Sequence, residues 1–458
     1  MSDIGIVGGG VLGLTLALRL RAQGHQVTVI EGATQPGGLA APQSIGGVTW
    51  DRFYHVILMS DRHLRDLLEE LGLADQLRWG TTRTGFYTDG RMYSLSTSLD
   101  FLRFPPLSLI DKARLAATIL YASRIEDGRR LELIPVTEWL KRWSGRRTFE
   151  RIWLPLLKSK LGENYRVASA AFIWAIIARM YAARRSGIKR EMFGYVAGGY
   201  DRVLRRLREQ LEERGISLVC GQAVSQVSTT GPNDGVGRTG EAHRLRVQLA
   251  GGGELAFDDV VLTVPSGRAA ALCPQLSAEE TARLRGITYQ GIVCASVLLT
   301  RPLATYYVTN ITESWVPFTA VIEMTTLVDP ATFGGRHLVY LPRYLTQDDP
   351  AWRLDDATLR EQFLTALERM YPDFRRDQVL AFEVSRVREV LAVSTLDFTA
   401  RCLPALVTSL PGVYLANSAQ IANGTLNLNE TVALANAQAA ALAPRLTPRA
   451  RMAEPVRS

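Results

Sequence analysis

Cysteine and histidine are scarce in this chain, and their placement removes several classes of function. The four cysteines (Cys220, Cys273, Cys294, Cys402) stand far apart, none forms a CxxC pair, and no histidine lies nearby at metal-binding spacing. Neither a metal site nor a disulfide framework is expected, and a reducing cytoplasm is the expected setting. Long apolar runs are missing too. No window reaches 18 uninterrupted apolar residues, and the longest candidate, 168–178, stops at Arg179. A membrane-spanning helix is therefore not expected. The first apolar run begins within three residues of Met1, so no signal peptide is expected. Internal repeats, nucleophile triads and recognised nucleic-acid-binding motifs are likewise lacking.

What is present is the composition of a globular protein, 47% hydrophobic and 21% charged. At 458 residues it has enough chain for two or more domains. The most informative stretch is DIGIVGGGVLGLTLALRLRAQGHQVTVIE, residues 3–31. An apolar run leads into Gly8-x-Gly10-x-x-Gly13, a helical pattern follows to Gly24, and a β-branched run ends in Glu31. Strand, glycine turn, helix and strand closing on an acid form the fingerprint of a dinucleotide site. Gly8 permits the tight turn, Gly10 lets backbone N–H groups approach a pyrophosphate, and Gly13 allows close helix–strand packing. The helix N-terminus favours the anion, and Glu31 is placed to accept hydrogen bonds from a ribose. The same spelling at Gly235-x-Gly237-x-x-Gly240 follows no strand and opens no apolar helix, so it reads as a loop tip.

Net charge is +8, unevenly spread: residues 141–190 hold 13 Lys/Arg against two Glu. Trp143, Phe149, Trp153, Phe172, Trp174 and Tyr181 are interleaved with them. Such a stretch suits a solvated helical face, or else an anionic membrane surface or an anionic ligand. With no binding motif beside the charge, no nucleic-acid partner is expected.

Turn and period signals divide the rest. Asp61 is placed to cap a helix closed by Gly72, and 83–95 reads as a hairpin turning at Asp89-Gly90. The pattern is helical from Leu107 to about Arg190, with a helix start at Thr137. A small antiparallel unit is expected over 224–264, with LAFDDVVLTVP as its returning strand. Further strands are expected at 292–299, 318–325, 337–341 and 413–415, and helices at 203–211, 356–370 and 430–443.

In order along the chain, the glycine motif, Glu31, the Gly37-Gly38 doublet, GGYDRVLRRLREQLEERGISL, QAVSQV, DDVVLTVP and LPGVYLANSAQIANGTLNLNETVALA resemble the flavoprotein amine oxidase superfamily, which includes protoporphyrinogen oxidases and phytoene-type desaturases. The resemblance implies an α/β fold: a discontinuous Rossmann-type FAD domain (1–85, 191–270, 395–445), with a substrate domain made of a helical part (86–190) and a sheet part (271–394). A disordered tail at 446–458 would complete the chain. It also implies FAD contacts at Gly8, Gly10, Gly13, Glu31, Gly37, Gly38, Val224, Asn417 and Asn429. Three positions depart from the family pattern. Asn417-Ser418 stands where Gly-Asp or Gly-Glu is usual, Leu39 where an Arg often follows the glycine doublet, and Cys402 is a poor match for a flavin-linking cysteine. Noncovalent FAD is the expectation.

Hydride transfer to flavin N5 needs orientation more than acid–base machinery. His55, in DRFYHVIL, is the titratable group best placed to exchange a proton, with a packed core histidine as the other reading. Glu323, Tyr340, Arg343 and Tyr344 are candidates to line a substrate cavity. Arg343 is suited to orient a carboxylate or phosphate, or else to form a salt bridge. Trp315 and Phe318 read as core. The expected reaction is dehydrogenation or desaturation of a small lipophilic substrate, isoprenoid-like or a reduced macrocycle. A redox-neutral enzyme resembling nucleotide-sugar mutases, or an amine oxidase, stands as the alternative. The electron acceptor, whether oxygen, a quinone or another carrier, stays open. The basic stretch makes peripheral membrane association an expectation.

Overall fold

A computed structural model describes residues 2–184, 192–229, 245–422 and 425–446. The second GxGxxG motif and residues 447–458 lie outside the described residues; Leu446, the first residue of the expected tail, is buried in the core around the first helix.

Two sheets organise the molecule. The first is parallel, in the order Val413–Leu415, Asp259–Leu262, Asp3–Val7, Gln26–Glu31, Ser217–Cys220. Its strands come from three distant parts of the chain, as the Rossmann-type reading requires. The helix Val11–Ala22 is apolar on nearly every side because it is covered on every side. The sheet lies on one flank, and Val432, Ala435 and Ala439 of the helix Leu428–Leu442 on the other. The Arg19 Nε donates to Asn436 Oδ1 at 2.8 Å, tying the two helices together.

The second sheet has seven strands, in the order Val379–Ala392, Tyr289–Leu299, His337–Leu345, Ala320–Glu323, Val308–Ile311, Thr84–Thr88, Arg91–Ser94. The last two form the hairpin at Asp89-Gly90, where both turn residues have positive φ (52° and 69°). One face of this sheet packs on the helix Asp356–Met370, through Val293, Leu341, Leu359 and Phe363 among others. The opposite face, with Ile292, Cys294, Leu338 and Tyr340, packs on Leu39, Trp50 and Phe53. That second face also carries Tyr344, one of the expected site residues.

Several local expectations need correction. LAFDDVVLTVP is not one returning strand. Glu254–Phe257 completes a three-stranded antiparallel sheet, and after Asp258 the chain enters the parallel sheet as Asp259–Leu262. Asp61 precedes the helix Arg62–Glu70 without capping it: its Oδ2 accepts from the Leu58 amide at 2.9 Å and from Arg179 at 3.0 Å. The helix expected from Thr137 begins at Val136, behind Pro135. The strand Val379–Ala392 had no clear period-2 signal, since Glu383, Arg386, Arg388 and Glu389 interrupt it. It forms an edge of its sheet, where charged side chains are tolerated and discourage further pairing.

Candidate cofactor and active site

The glycine turn has the geometry of an anion cradle. Gly8 sits at φ +117°, and a Cβ on Gly13 would lie 2.0 Å from the Gly8 carbonyl oxygen, so neither position tolerates a side chain. Gly10 differs: a Cβ there meets nothing within 4 Å. It opens onto free space at the N-terminus of the Val11–Ala22 helix, where the pyrophosphate of a dinucleotide belongs. The glycine doublet folds back onto this turn. The Gly37 amide donates to Gly9 O at 2.8 Å, and Gly38 at φ +57° approaches the Gly10 backbone closely.

Glu31 ends its strand beside the turn. Its carboxylate accepts from the Gly9 amide at 2.6 Å and from the Ala33 amide at 2.8 Å, which fixes its orientation while leaving lone pairs for a ribose. A cavity of about 230 Å³ opens here, lined by Gly8, Glu31, Gly32, Ala223, Val224 and Arg268 among others. The structure thus brings Val224 next to Gly8 and Glu31, at the carboxyl ends of the parallel strands where open α/β sheets bind ligands. Arg268, two residues into the helix Ser266–Leu272, is a cation at this cavity that the sequence reading passed over. Its signal was available, since DDVVLTVPSGR repeats the strand–turn–helix logic of the N-terminal motif.

Asn417 is 1% exposed, and its side chain is fully used within the protein. Its Nδ2 donates to Val264 O and to Ser266 Oγ, both at 3.0 Å, and its Oδ1 accepts from the Ala419 amide at 3.1 Å. It clamps the end of one parallel strand to the turn after its neighbour. Asn429 accepts from the Leu64 amide at 3.2 Å and stands in the first turn of the Leu428–Leu442 helix, whose N-cap is Asn427. These open glycine, cavity and helix-end features fit a flavin dinucleotide.

The strand His337–Leu345 decides where the catalytic candidates point. Alternation sends Leu338, Tyr340 and Tyr344 toward the cluster with Trp50 and Phe53, and Val339, Leu341 and Leu345 toward the helix Asp356–Met370. Arg343 is in register with Val293, which lies on the helix-covered side. Glu323 pairs with Val339 and shares that side. Its carboxylate accepts from the Leu303 and Ala304 amides at 3.0 and 2.9 Å, so it holds a turn. The expectation that Glu323, Tyr340, Arg343 and Tyr344 line one cavity is therefore corrected: Tyr340 and Tyr344 share one face of the sheet, and Glu323 and Arg343 lie on the other.

Tyr344 does reach the cluster with Trp50 and Phe53. Its hydroxyl is 2.7 Å from that of Tyr54, and Lys160 Nζ lies 3.6 Å from its ring centroid. Burial and the Tyr344 neighbour push the Tyr54 phenol well above its usual range. The Tyr340 hydroxyl donates to Asp51 O at 2.6 Å, and Asp51 Oδ1 accepts from the Tyr200 amide at 2.7 Å. This acid thus satisfies the N-terminus of the helix Gly199–Glu213. His55 lies beside the same acid, with its Nδ1 3.7 Å from Asp51 Oδ2 and its ring edge-on to Tyr200. Among the described residues that Nδ1 has no hydrogen-bond partner. Tyr54 and Lys160 carried no sequence signal, being single residues in a loop and a basic helix. Trp315 and Phe318 belong to the core, as read.

Burial pushes the Glu323 carboxyl up to about 7 from an ordinary 4.5, against the lowering effect of its two amide bonds. A carboxyl with a raised folded-state pKa contributes stability below its unfolded pKa and loses it as pH rises toward the folded one. The window here is about 4.5 to 7. Across it the Glu323 contribution should fall by ~3 kcal/mol. Chemical denaturation at pH 5 and pH 8 should therefore show wild type losing ~2 kcal/mol relative to Glu323→Gln. Parallel behaviour of the two proteins would contradict it.

Comparison with known proteins agrees with this geometry. The family model described as flavin containing amine oxidoreductase matches residues 13–427. The 4,4'-diapophytoene desaturase (4,4'-diaponeurosporene-forming) of Staphylococcus haemolyticus (strain JCSC1435) is 39% identical over 69 residues, 15% of this chain and 14% of that protein's length. A protein of Exiguobacterium sp. 255-15 that carries a protoporphyrinogen oxidase assignment superposes with a TM-score of 0.74 at 21% identity, covering 97% of this chain and 99% of that one. Putrescine oxidase bound to putrescine gives 0.73 at 16% identity over 97% and 99%. These structures share the fold, and the family match covers most of the chain, from Gly13 onward. The chain belongs to the flavin-containing amine oxidoreductase family and is a flavin-dependent oxidoreductase.

Proposed function

We propose that the protein binds FAD noncovalently and dehydrogenates a lipophilic substrate, isoprenoid-like or a reduced macrocycle, by hydride transfer to flavin N5. The observation that carries this reading is the character of the cluster around Tyr344. Ile292, Cys294, Tyr340, Tyr344 and Tyr54 pack together there, and a lysine ammonium already occupies the π face of Tyr344. An aromatic face recruits a cationic amine only where it is free to do so. Lys160 fills that role and repels a second cation, so the same wall favours a neutral or anionic substrate.

When bound, FAD supplies the two-electron acceptor. The chain's own residues do the rest. Gly8 to Gly13 and the Gly37-Gly38 doublet would hold the pyrophosphate, Glu31 would orient the ribose, and the N-terminus of the Leu428–Leu442 helix would stabilise negative charge on the reduced flavin. The apolar and aromatic side chains around Tyr344 would exclude water and orient the substrate carbon. His55, with a free ring nitrogen beside Asp51, is the group suited to hold or pass a proton. Cys402 packs with Ile287 and Phe398 in a separate small cluster, which supports a noncovalent cofactor. The short stretch shared with a desaturase supports the substrate class.

Anaerobic mixing tests the reading. Flavin bleaching by polyene precursors or reduced tetrapyrroles, and not by putrescine or other simple amines, is the expected result. Rapid bleaching by amines alone would make the protein an amine oxidase.

A further inference from the structure

We propose that the two helices Ser98–Arg103 and Leu109–Ala122 form a docking surface for an anionic lipid bilayer. The basic and aromatic stretch at 141–190 suggested a membrane contact, but Phe149, Phe172 and Trp174 are buried and the other tryptophans are engaged within the protein. Trp174 Nε1 donates to Ala122 O at 3.1 Å, Trp153 Nε1 to Ser144 Oγ at 3.0 Å, and Trp143 stacks on Tyr121 at 4.0 Å. Val167, 46% exposed, is the one large hydrophobic residue facing water among the described residues of that stretch, and more exposed ones cluster elsewhere. Leu99 and Leu102 on the first helix are 52% and 56% exposed, and Leu109 and Ile110, opening the second, are both 73% exposed.

These four are not frayed ends. Each helix has a complete capping box, Thr97 with Asp100 and Ser108 with Asp111. Lys112 Nζ donates to Leu102 O at 2.7 Å, which brings the end of the first helix against the first turn of the second. The inner faces are already satisfied, since Phe101, Phe104, Leu107 and Leu115 pack into one cluster with Phe86 and Ile152. Folding therefore does not explain the outer leucines. A water-facing helix surface ordinarily carries polar residues there.

The tertiary fold brings cations to this apolar tip from the basic stretch. Arg147 Nε lies 3.6 Å from Asp111, and Arg151 Nη1 donates to Pro106 O at 3.3 Å. Arg103 and Arg114, exposed on the two helices themselves, add to them. Residues 141–151 hold five Lys/Arg against one Glu. An apolar tip among cations suits acyl chains below anionic headgroups. It does not suit a second copy of this chain, because an isologous pairing sets the same basic residues against each other.

The surface is also joined to the active site. Leu156 of the helix Leu154–Leu161 packs beside Phe104 and Leu107, and one turn later Lys160 covers Tyr344. That a docked tip would deliver bilayer-dissolved substrate rests on the proposed function; docking itself does not.

The test is cosedimentation of the full-length, flavin-loaded protein with phosphatidylcholine vesicles, with and without phosphatidylglycerol, at low and high salt. Binding to the anionic vesicles that weakens with salt is the expected result. Leu109→Ser combined with Ile110→Ser should reduce the partition at least about tenfold. Arg147→Gln with Arg151→Gln should reduce it several-fold and flatten the salt dependence. Both variants should retain full flavin content, which reports on folding. Wild type left in the supernatant, or undiminished binding by the leucine–isoleucine variant, overturns the proposal. So does a dimer in light scattering that this variant dissociates, because a second copy is then the occupant. Failure here with normal flavin bleaching by lipophilic compounds leaves the proposed reaction intact.

Discussion

Gly10→Val is expected to yield a folded, colourless protein, and Gly13→Ala a poorly folded one. The two glycines are three residues apart in one motif, yet their surroundings are opposite. A Cβ at Gly10 touches nothing, so the backbone keeps its shape and the valine fills space that the flavin's pyrophosphate needs. Flavin affinity should drop at least about a hundredfold, or ~2.7 kcal/mol. A Cβ at Gly13 would sit 2.0 Å from Gly8 O, so helix and strand must separate. Overpacking of that kind costs about 3 kcal/mol or more, with or without cofactor. Absorbance at 450 nm (roughly the flavin maximum) and chemical denaturation together read out both effects. A yellow Gly10→Val protein would remove the glycine turn from the cofactor site.

Asn417→Asp is expected to destabilise the protein strongly, although it changes one atom. The Nδ2 of Asn417 donates to Val264 O and Ser266 Oγ in a site that is 1% exposed. An aspartate there sets a buried anion against a carbonyl oxygen it cannot bond. The loss should be about 3 kcal/mol, combining a missing hydrogen bond with an unpaired buried charge. Asn417→Ala should cost less, about 1–3 kcal/mol, because no charge is buried. Denaturant midpoints rank the two variants. An Asp variant as stable as wild type would mean that the clamp between the strand ends carries no weight.

Much of the dinucleotide-binding part could be read directly. Glycine spacing, the apolar first helix and the terminal acid are local signals, and each depends on neighbours within about 30 residues. The Asp89-Gly90 turn and the helix Asp356–Met370 were legible for the same reason: turn chemistry and period-3.6 patterning act over short range. The strand Val379–Ala392 was not, because an edge position rather than a hydrophobic period permits its charged residues. Asp61 shows the limit of a capping signal. The residue type and position were right for a cap, but Arg179, more than a hundred residues later, engages its carboxylate.

What the sequence by itself determined is the cofactor class, since binding a pyrophosphate at a helix end demands a contiguous backbone shape that only closely spaced glycines allow. What the tertiary structure alone decided is which side chains meet. Strand register separates Arg343 and Glu323 from Tyr344, because adjacent residues on a pleated strand face opposite ways. Long-range packing brings Lys160 over Tyr344 and Tyr54 against it, and gathers outer leucines and arginines from different segments onto one surface. These groupings join residues up to 290 positions apart. No local pattern encodes such meetings, because the free energy that holds them comes from burying side chains of distant segments together in shared clusters.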